Sequence, residues 1–152
     1  MPFELTIAAF PHGGDIPELY TCDGANLSPA LEWKGAPAGA LSFALIVDDP
    51  DAPGGTWNHW LLCDIPKATT AIPQGVRLGS IGVSGSNDFG KLGYGGPCPP
   101  KGHGPHHYNF RLMALNVTSL GLRDGEKRDS LDIALRGHVL SEVTYTGLYK
   151  RR

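Results

Sequence analysis

The sequence predicts a mainly β fold, and three observations carry that reading. Glycine and proline make up 34 of the 152 residues, a density that breaks long helices and favours short strands joined by turns. Several segments alternate apolar and polar residues with a period of two, as half-buried strands do. Only one segment carries a helical stripe. The length fits one domain spanning residues 1–152, large enough to bury about 68–70% of its unfolded surface without staples. Charged residues are 18% of the chain and the net charge is −2. That balance argues against nucleic acid as a partner, because phosphate backbones are held by clustered Lys and Arg. No apolar stretch approaches the roughly 18–20 residues of a membrane span, so membrane insertion is not expected. Residues 1–20 hold no Lys or Arg and Glu4 interrupts their apolar run, so no signal peptide is expected either.

Taken in order, Phe3–Phe10 alternates Phe3, Leu5, Ile7 and Ala9 with polar or small residues, which predicts a first strand. Pro11 to Pro29 is dense in turn formers. Leu31, Trp33 and the apolar run Phe43–Val47 predict a strand pair, its second member buried on both faces. Trp57–Ile65 is a further core strand, bounded by Gly54-Gly55 and Pro66. Tyr108–Leu115 alternates Tyr108, Phe110, Leu112 and Ala114 against polar partners and predicts another. One helix is expected: Asp129 or Ser130 caps it, and Leu131, Ala134, Leu135, His138 and Val139 form its stripe. The β-branched Val143, Thr144 and Thr146 then predict a last short strand ending at Tyr149.

Three cysteines, Cys22, Cys63 and Cys98, are an odd count without CxxC spacing. They fit isolated, mostly buried thiols in a reduced, cytoplasmic protein. A Cys22–Cys98 disulfide is the alternative, since both lie in loops beside Gly and Pro.

The segment Ser84 to Pro105 holds seven glycines and four prolines. Structureless segments beyond about 12–15 residues are uncommon in compact domains unless functional or disordered. Tyr94, Cys98 and three histidines in or beside this one are poor composition for disorder, so the loop is expected to build a site. Strand parity gathers the chemistry around it. Trp57 and His59 share a face while Asn58 and Trp60 take the other. His106 and Tyr108 share a face and His107 points away. Asp49 and Asp51, if extended, also agree. A pocket walled by Asp49, Asp51, Trp57, His59, His106 and Tyr108 follows. Two imidazoles and a phenol supply donors, Gly95-Gly96 lets backbone N–H groups approach as an anion nest, and an aspartate can orient a histidine. That set suits a small anion, phosphate above all.

Other functions find less support. His103-x-x-His106-His107 has a metal look, but parity sends His106 and His107 to opposite faces and nothing completes a zinc set, so neither metal nor other cofactor is expected. His12 and His138 read as ordinary surface or core histidines, and Trp33 and Trp60 as core. Ser84 lacks the spacing of a nucleophile elbow, and no phosphate-binding glycine fingerprint is present.

Asp49-Pro50-Asp51-Ala52-Pro53, Trp57-Asn58-His59-Trp60, Gly95-Gly96-Pro97-Cys98-Pro99-Pro100-Lys101-Gly102 and His106-His107-Tyr108 together resemble the phosphatidylethanolamine-binding proteins, and within them the bacterial Raf-kinase-inhibitor-like branch. The likeness also takes in Tyr20-Thr21-Cys22-Asp23-Gly24, Ser28-Pro29, Asn87-Asp88-Phe89-Gly90 and Gly137-His138-Val139-Leu140. It implies a β-sandwich of two antiparallel sheets with a few peripheral helices, one near the C-terminus. It also implies a small pocket for phosphate, acetate or a phosphoethanolamine-like head group, formed by Asp49, Asp51, Trp57, His59, Pro99, His106 and Tyr108, with a cis bond before Pro53. The chain departs from mammalian members at Asn58, where they carry a second histidine, and in lacking their additional C-terminal segment, which would leave the pocket more open.

The leading expectation is therefore a binding module for a small phosphorylated or anionic ligand, with regulation or inhibition of a kinase or protease as a further role that the resemblance implies. A small hydrolase using a His/Asp pair in the same pocket is the alternative. The resemblance further suggests a homodimer.

Overall fold

The computed structural model describes residues 2–152. Eight strands form two antiparallel sheets. The smaller orders β1 (Glu4–Thr6), β2 (Leu31–Lys34) and β5 (Ala71–Ile72) as β1-β2-β5. The larger contains β3 (Ser42–Asp49), β4 (Trp57–Pro66), β6 (Val83–Ser84), β7 (His106–Leu115) and β8 (Val139–Tyr149), in the order β6-β4-β3-β7-β8. One helix, α1 (Arg128–Leu135), and a single 3₁₀ turn, Glu18–Tyr20, complete the regular structure. The mainly β sandwich with a C-terminal helix is as the sequence predicts.

Period two explains why β3 is apolar throughout. Phe43, Leu45 and Val47 face the small sheet, where they meet Leu5, Leu31, Trp33 and Ile72. Ala44 and Ile46 face the other way, under Leu131 and Leu135 of α1. All eight β3 residues are buried, and at about 1.5–3 kcal/mol per fully buried large aliphatic or aromatic side chain this strand anchors both layers.

Several expectations need correction. The first strand stops at Thr6, which pairs with Glu32, one residue short of the end of β2. The chain then turns, and the Tyr145 hydroxyl donates to the carbonyls of Ile7 and Phe10. β2 and β3 do not pair; they lie in opposite sheets and meet face to face, with the Trp33 and Phe43 rings 5.4 Å apart. Periodicity identifies the buried face of a strand, not its neighbour. Neither Asp129 nor Ser130 caps the helix: it begins at Arg128, after Lys127, with no side-chain cap. The Arg128 guanidinium instead donates to Asp48 and Asn58 on the sheet, tying the first turn down. The helix ends at Leu135 and the chain turns at Gly137 (φ 79°). His138 therefore leaves the helix and Val139 opens β8, which pairs with β7 through to Tyr149 and is longer than expected. No peptide bond among the described residues is cis, so the bond before Pro53 is trans.

Cys22 and Cys98 are joined in a disulfide with their Cα atoms 5.4 Å apart, which overturns the reduced-thiol reading for this pair. The disulfide leaves Cys63 as the isolated thiol, and burial pushes its pKa up to about 12. The pairing was open in the sequence because 75 intervening residues say nothing about whether two loops meet; here the Cys22 N–H also donates to the Pro97 carbonyl.

Candidate functional site

β3 ends at Asp49 where β4 starts at Trp57 and β7 starts at His106, so three adjacent strands deliver their functional residues to one end of the large sheet. A β-bulge refines the delivery. Val47 pairs with Trp60 and Asp48 with Asn58, leaving His59 as the extra residue. An extra residue breaks alternation locally and re-aims side chains. As a result Trp60, expected on the opposite face from His59, joins the inter-sheet core, while Asn58 alone turns to the helix side and accepts from Arg128.

The cavity so formed is about 210 Å³. Asp49, His59, His106 and Tyr108 line its interior; Trp57, Phe89, Pro53, Pro99, Pro100 and Cys98 line its walls and mouth. Asp49 Oδ2 accepts from His106 Nδ1 at 2.7 Å, with both side chains almost fully buried. Its Oδ1 accepts from the Asp51 N–H at 2.8 Å. A carboxylate only accepts, so the His106 proton on that side sits on Nδ1. His106 Nε2 lies 2.6 Å from His103 Nδ1.

His59 is fixed by a reciprocal pair of hydrogen bonds. Its Nδ1–H donates to the Gly95 carbonyl at 2.7 Å, and the Gly95 N–H donates back to the His59 carbonyl at 2.8 Å. Burial pulls the His59 pKa below the usual imidazole range, outweighing the Gly95 carbonyl and the Asp49 charge, which favour the cation. Tyr108 is 1% exposed, and its hydroxyl has no hydrogen-bond partner. Burial, helped by the Asp49 charge, raises its pKa and keeps the phenol neutral; no hydrogen bond of normal geometry joins the two side chains. The His59 ring packs edge-on against both Tyr108 and Phe89, 5.2 and 5.4 Å between centroids. Trp57 and Phe89, both partly exposed, meet edge-on at the mouth.

Of the sequence-derived site residues, Asp49, Trp57, His59, Pro99, His106 and Tyr108 come together around the cavity. Asp51 does not line it. Its carboxylate accepts from the backbone N–H and Nδ1 of His107, on the outer side of the strand, because the chain turns after Asp49 and the extended geometry assumed for the pair is lost. Gly95 and Gly96 do not form an anion nest. Their N–H groups are spent on the His59 carbonyl and on Asn26 Oδ1. Both are glycine because the loop passes so close: a Cβ would lie 2.5 Å from the Phe89 ring at Gly95 and 2.2 Å from the Tyr20 carbonyl at Gly96.

Phe89 and His103 were missed as site residues. Phe89 sits at the tip of a turn held by Asn87 Oδ1, which accepts from the N–H groups of Phe89 and Lys91. A large aromatic residue in such a turn was the available signal. His103 enters from the sequence only through its spacing to His106 and His107, a metal-ligand pattern. Among the described residues no group of three or more His, Cys, Asp or Glu is placed to hold a metal ion; Asp49, His106 and His103 bond to one another in a line. The arrangement offers buried donors and a proton-holding chain in a small cavity with apolar walls.

Fold and site together define a two-sheet antiparallel β-sandwich with a small cavity at one end of its larger sheet. The phosphatidylethanolamine-binding protein model matches residues 6–150, and the chain belongs to that family. It is 46% identical to a UPF0098 protein of Aquifex aeolicus, over 97% of this chain and 88% of the relative. With a UPF0098 protein of Methanothermobacter thermautotrophicus it shares 49%, over 94% and 95%. The crystal structure of Escherichia coli YbcL, a member of the mammalian PEBP family, superposes with a TM-score of 0.93 at 34% identity, covering 100% of both chains. The PEBP homologue CT736 of Chlamydia trachomatis gives 0.90 at 34% identity, over 99% of this chain and 98% of that one.

Proposed function

We propose that residues 1–152 form one binding module whose cavity takes up a small oxyanion, inorganic phosphate or a phosphoethanolamine-type head group, without turning it over. The observation that carries this reading is the Tyr108 hydroxyl. A buried hydroxyl left unpaired costs about 1–3 kcal/mol, and this one faces a cavity between two histidines. An oxyanion accepting from Tyr108 and from His106 would satisfy it. The aromatic pair Trp57 and Phe89 at the mouth suits the ammonium end of a phosphoethanolamine, which aromatic faces attract. The family description, phosphatidylethanolamine-binding, points to the same ligand chemistry.

The buried Asp49–His106 pair is also what a hydrolase would use as a base. Against turnover, no serine or threonine lines the cavity and Cys98 is held in the disulfide. Control of a kinase or protease, and pairing into a homodimer, would be further uses of the same module. A cytoplasmic location, the expectation from sequence, requires a cytoplasm that preserves the Cys22–Cys98 disulfide, as that of hyperthermophiles does.

The test is an NMR titration with phosphate and O-phosphorylethanolamine. Saturable shifts are expected at His59, His106 and Tyr108. In Tyr108→Phe the affinity should fall about tenfold or more, the scale of a hydrogen bond to a charged ligand. The melting temperature should hold or rise, since the hydroxyl bonds no other group of the protein. Absence of shifts at millimolar ligand overturns the reading; turnover of an aryl phosphate that His106→Ala abolishes would replace it with the hydrolase.

A further inference from the structure

His106 has two ring nitrogens, and both are occupied. Asp49 holds Nδ1, and His103 Nδ1 stands 2.6 Å from Nε2, with the two rings 4.9 Å apart and inclined at 62°. The two partners differ in kind. Asp49 is buried on a central strand; His103 is exposed, at the tip of the Lys101-Gly102-His103-Gly104 turn. The walls before the tip are pinned by the Cys22–Cys98 disulfide and Pro99-Pro100, and β7 begins just after it. Two backbone bonds hold the tip itself, from Gly102 N–H to the Arg151 carbonyl and from His103 N–H to the Pro100 carbonyl. Gly102 and Gly104 both adopt positive φ, 74° and 86°, with open space around each.

We propose that His103 is a displaceable occupant of the anion site, holding His106 Nε2 in the empty protein and turning out when an anion takes its place. The inference rests on the oxyanion reading above. It gives that site a built-in competitor and a proton requirement.

The proton count follows from the donors. Asp49 fixes one proton on His106 Nδ1, and only one more fits between Nε2 and the His103 ring. When both rings are neutral, that proton belongs to His103 Nδ1, and His106 offers the cavity a lone pair, which a P–OH could meet but a deprotonated phosphate oxygen cannot. One added proton on the pair lets His106 carry N–H on both sides; once His103 swings away, Nε2–H donates to the ligand and Asp49 balances the imidazolium. Binding through a deprotonated phosphate oxygen at Nε2 is therefore linked to uptake of a proton by the pair. The other titratable groups nearby are His59 on β4, Tyr108 on β7 and Lys101 in the tip. Of these, Tyr108 stays neutral and burial disfavours the His59 cation, which leaves the His103–His106 pair to take the proton.

The experiment uses the whole chain with inorganic phosphate as the probe. Long-range ¹⁵N–¹H spectra of the histidine rings should show coupling across the His103–His106 hydrogen bond in the free protein and lose it at saturation. Calorimetry in two buffers of different ionisation enthalpy should show proton uptake. His103→Ala should bind phosphate about three- to tenfold tighter, the scale of one competing neutral hydrogen bond removed. The substitution is at an exposed position, so folding is preserved. Coupling that persists in the phosphate complex, or an affinity unchanged or weakened in His103→Ala, overturns the inference; weakening would make His103 a ligand contact instead. If the free-state coupling is present but wild-type protein takes up no phosphate, the oxyanion reading has failed and anion displacement fails with it.

Discussion

Two Asp–His pairs stand side by side in this molecule, and they share almost everything except solvent. Asp49–His106 and Asp51–His107 each join Nδ1 to a carboxylate oxygen at 2.7 Å. The aspartates lie two positions apart and the histidines are adjacent. Yet the side chains of the first pair are 2% and 4% exposed, His106 first, and those of the second are 57% and 40%. Alternation along β7 sends His106 into the cavity and His107 to the surface, and the turn after Asp49 carries Asp51 out to meet His107, so the same chemistry stands in two environments. In water an ion pair gains little over its hydrated parts; in the interior each partner is the other's main source of compensation.

The sharpest way to break that comparison is to remove each aspartate. Asp49→Ala should destabilise the fold by about 3–5 kcal/mol, because it strands a buried imidazole and the Asp51 N–H. Urea denaturation of the variant gives the number. A loss no larger than that of the corresponding change at Asp51 would mean that burial does not separate the two pairs.

His59 supplies the next effect, and it concerns pH. Its folded-state pKa is depressed by burial from the ordinary 6.5, so the unfolded chain takes up the proton first as the solution is acidified. Its contribution to stability is complete above the unfolded value and declines as pH falls from there towards the folded one. Stability measured across pH 7 to 5 should therefore drop, and His59→Gln, whose amide can still donate to the Gly95 carbonyl, should flatten that part of the curve. A slope identical in the two proteins would remove His59 as its source.

How much of this was legible in the sequence divides along the same line between periodic and non-periodic structure. Strand parity separated His106 from His107 correctly, since β7 is regular where it starts. It failed at Trp60 because a bulge inserts one residue, and nothing in Trp57-Asn58-His59-Trp60 announces a bulge. It failed at Asp51 because the strand ends at Asp49 and a turn has no faces to alternate. Composition alone singled out the Gly-rich loop, which supplies Phe89, Cys98, Pro99 and Pro100 to the cavity wall. The roles of Gly95 and Gly96 were not, since a glycine that admits a ligand and one that admits another stretch of backbone look alike until the neighbour is known. The family resemblance carried the sandwich architecture, which the short strands β5 and β6 could not have announced by pattern.

The smallest effect lies at Asp51, and it closes the comparison from the exposed side. Hydrogen bonds from the His107 ring and backbone N–H hold this carboxyl below its ordinary pKa of 3.8, against a modest opposing cost of burial. The sign is the same as that of His59, in a more acidic window. Its stabilisation is present above the unfolded pKa and disappears as pH falls through the folded one. With the pair about half in solvent, Asp51→Asn should cost under about 1 kcal/mol at pH 7, less still in high salt, where exposed charges are screened. The wild-type and Asp51→Asn stability curves should converge at the acid end of the titration. Phosphate affinity should be unchanged, because the side chain does not reach the cavity. A marked loss of affinity in Asp51→Asn would show that this surface pair props the β3–β4 turn over the ligand, and the division between a working and a surface Asp–His pair would no longer hold.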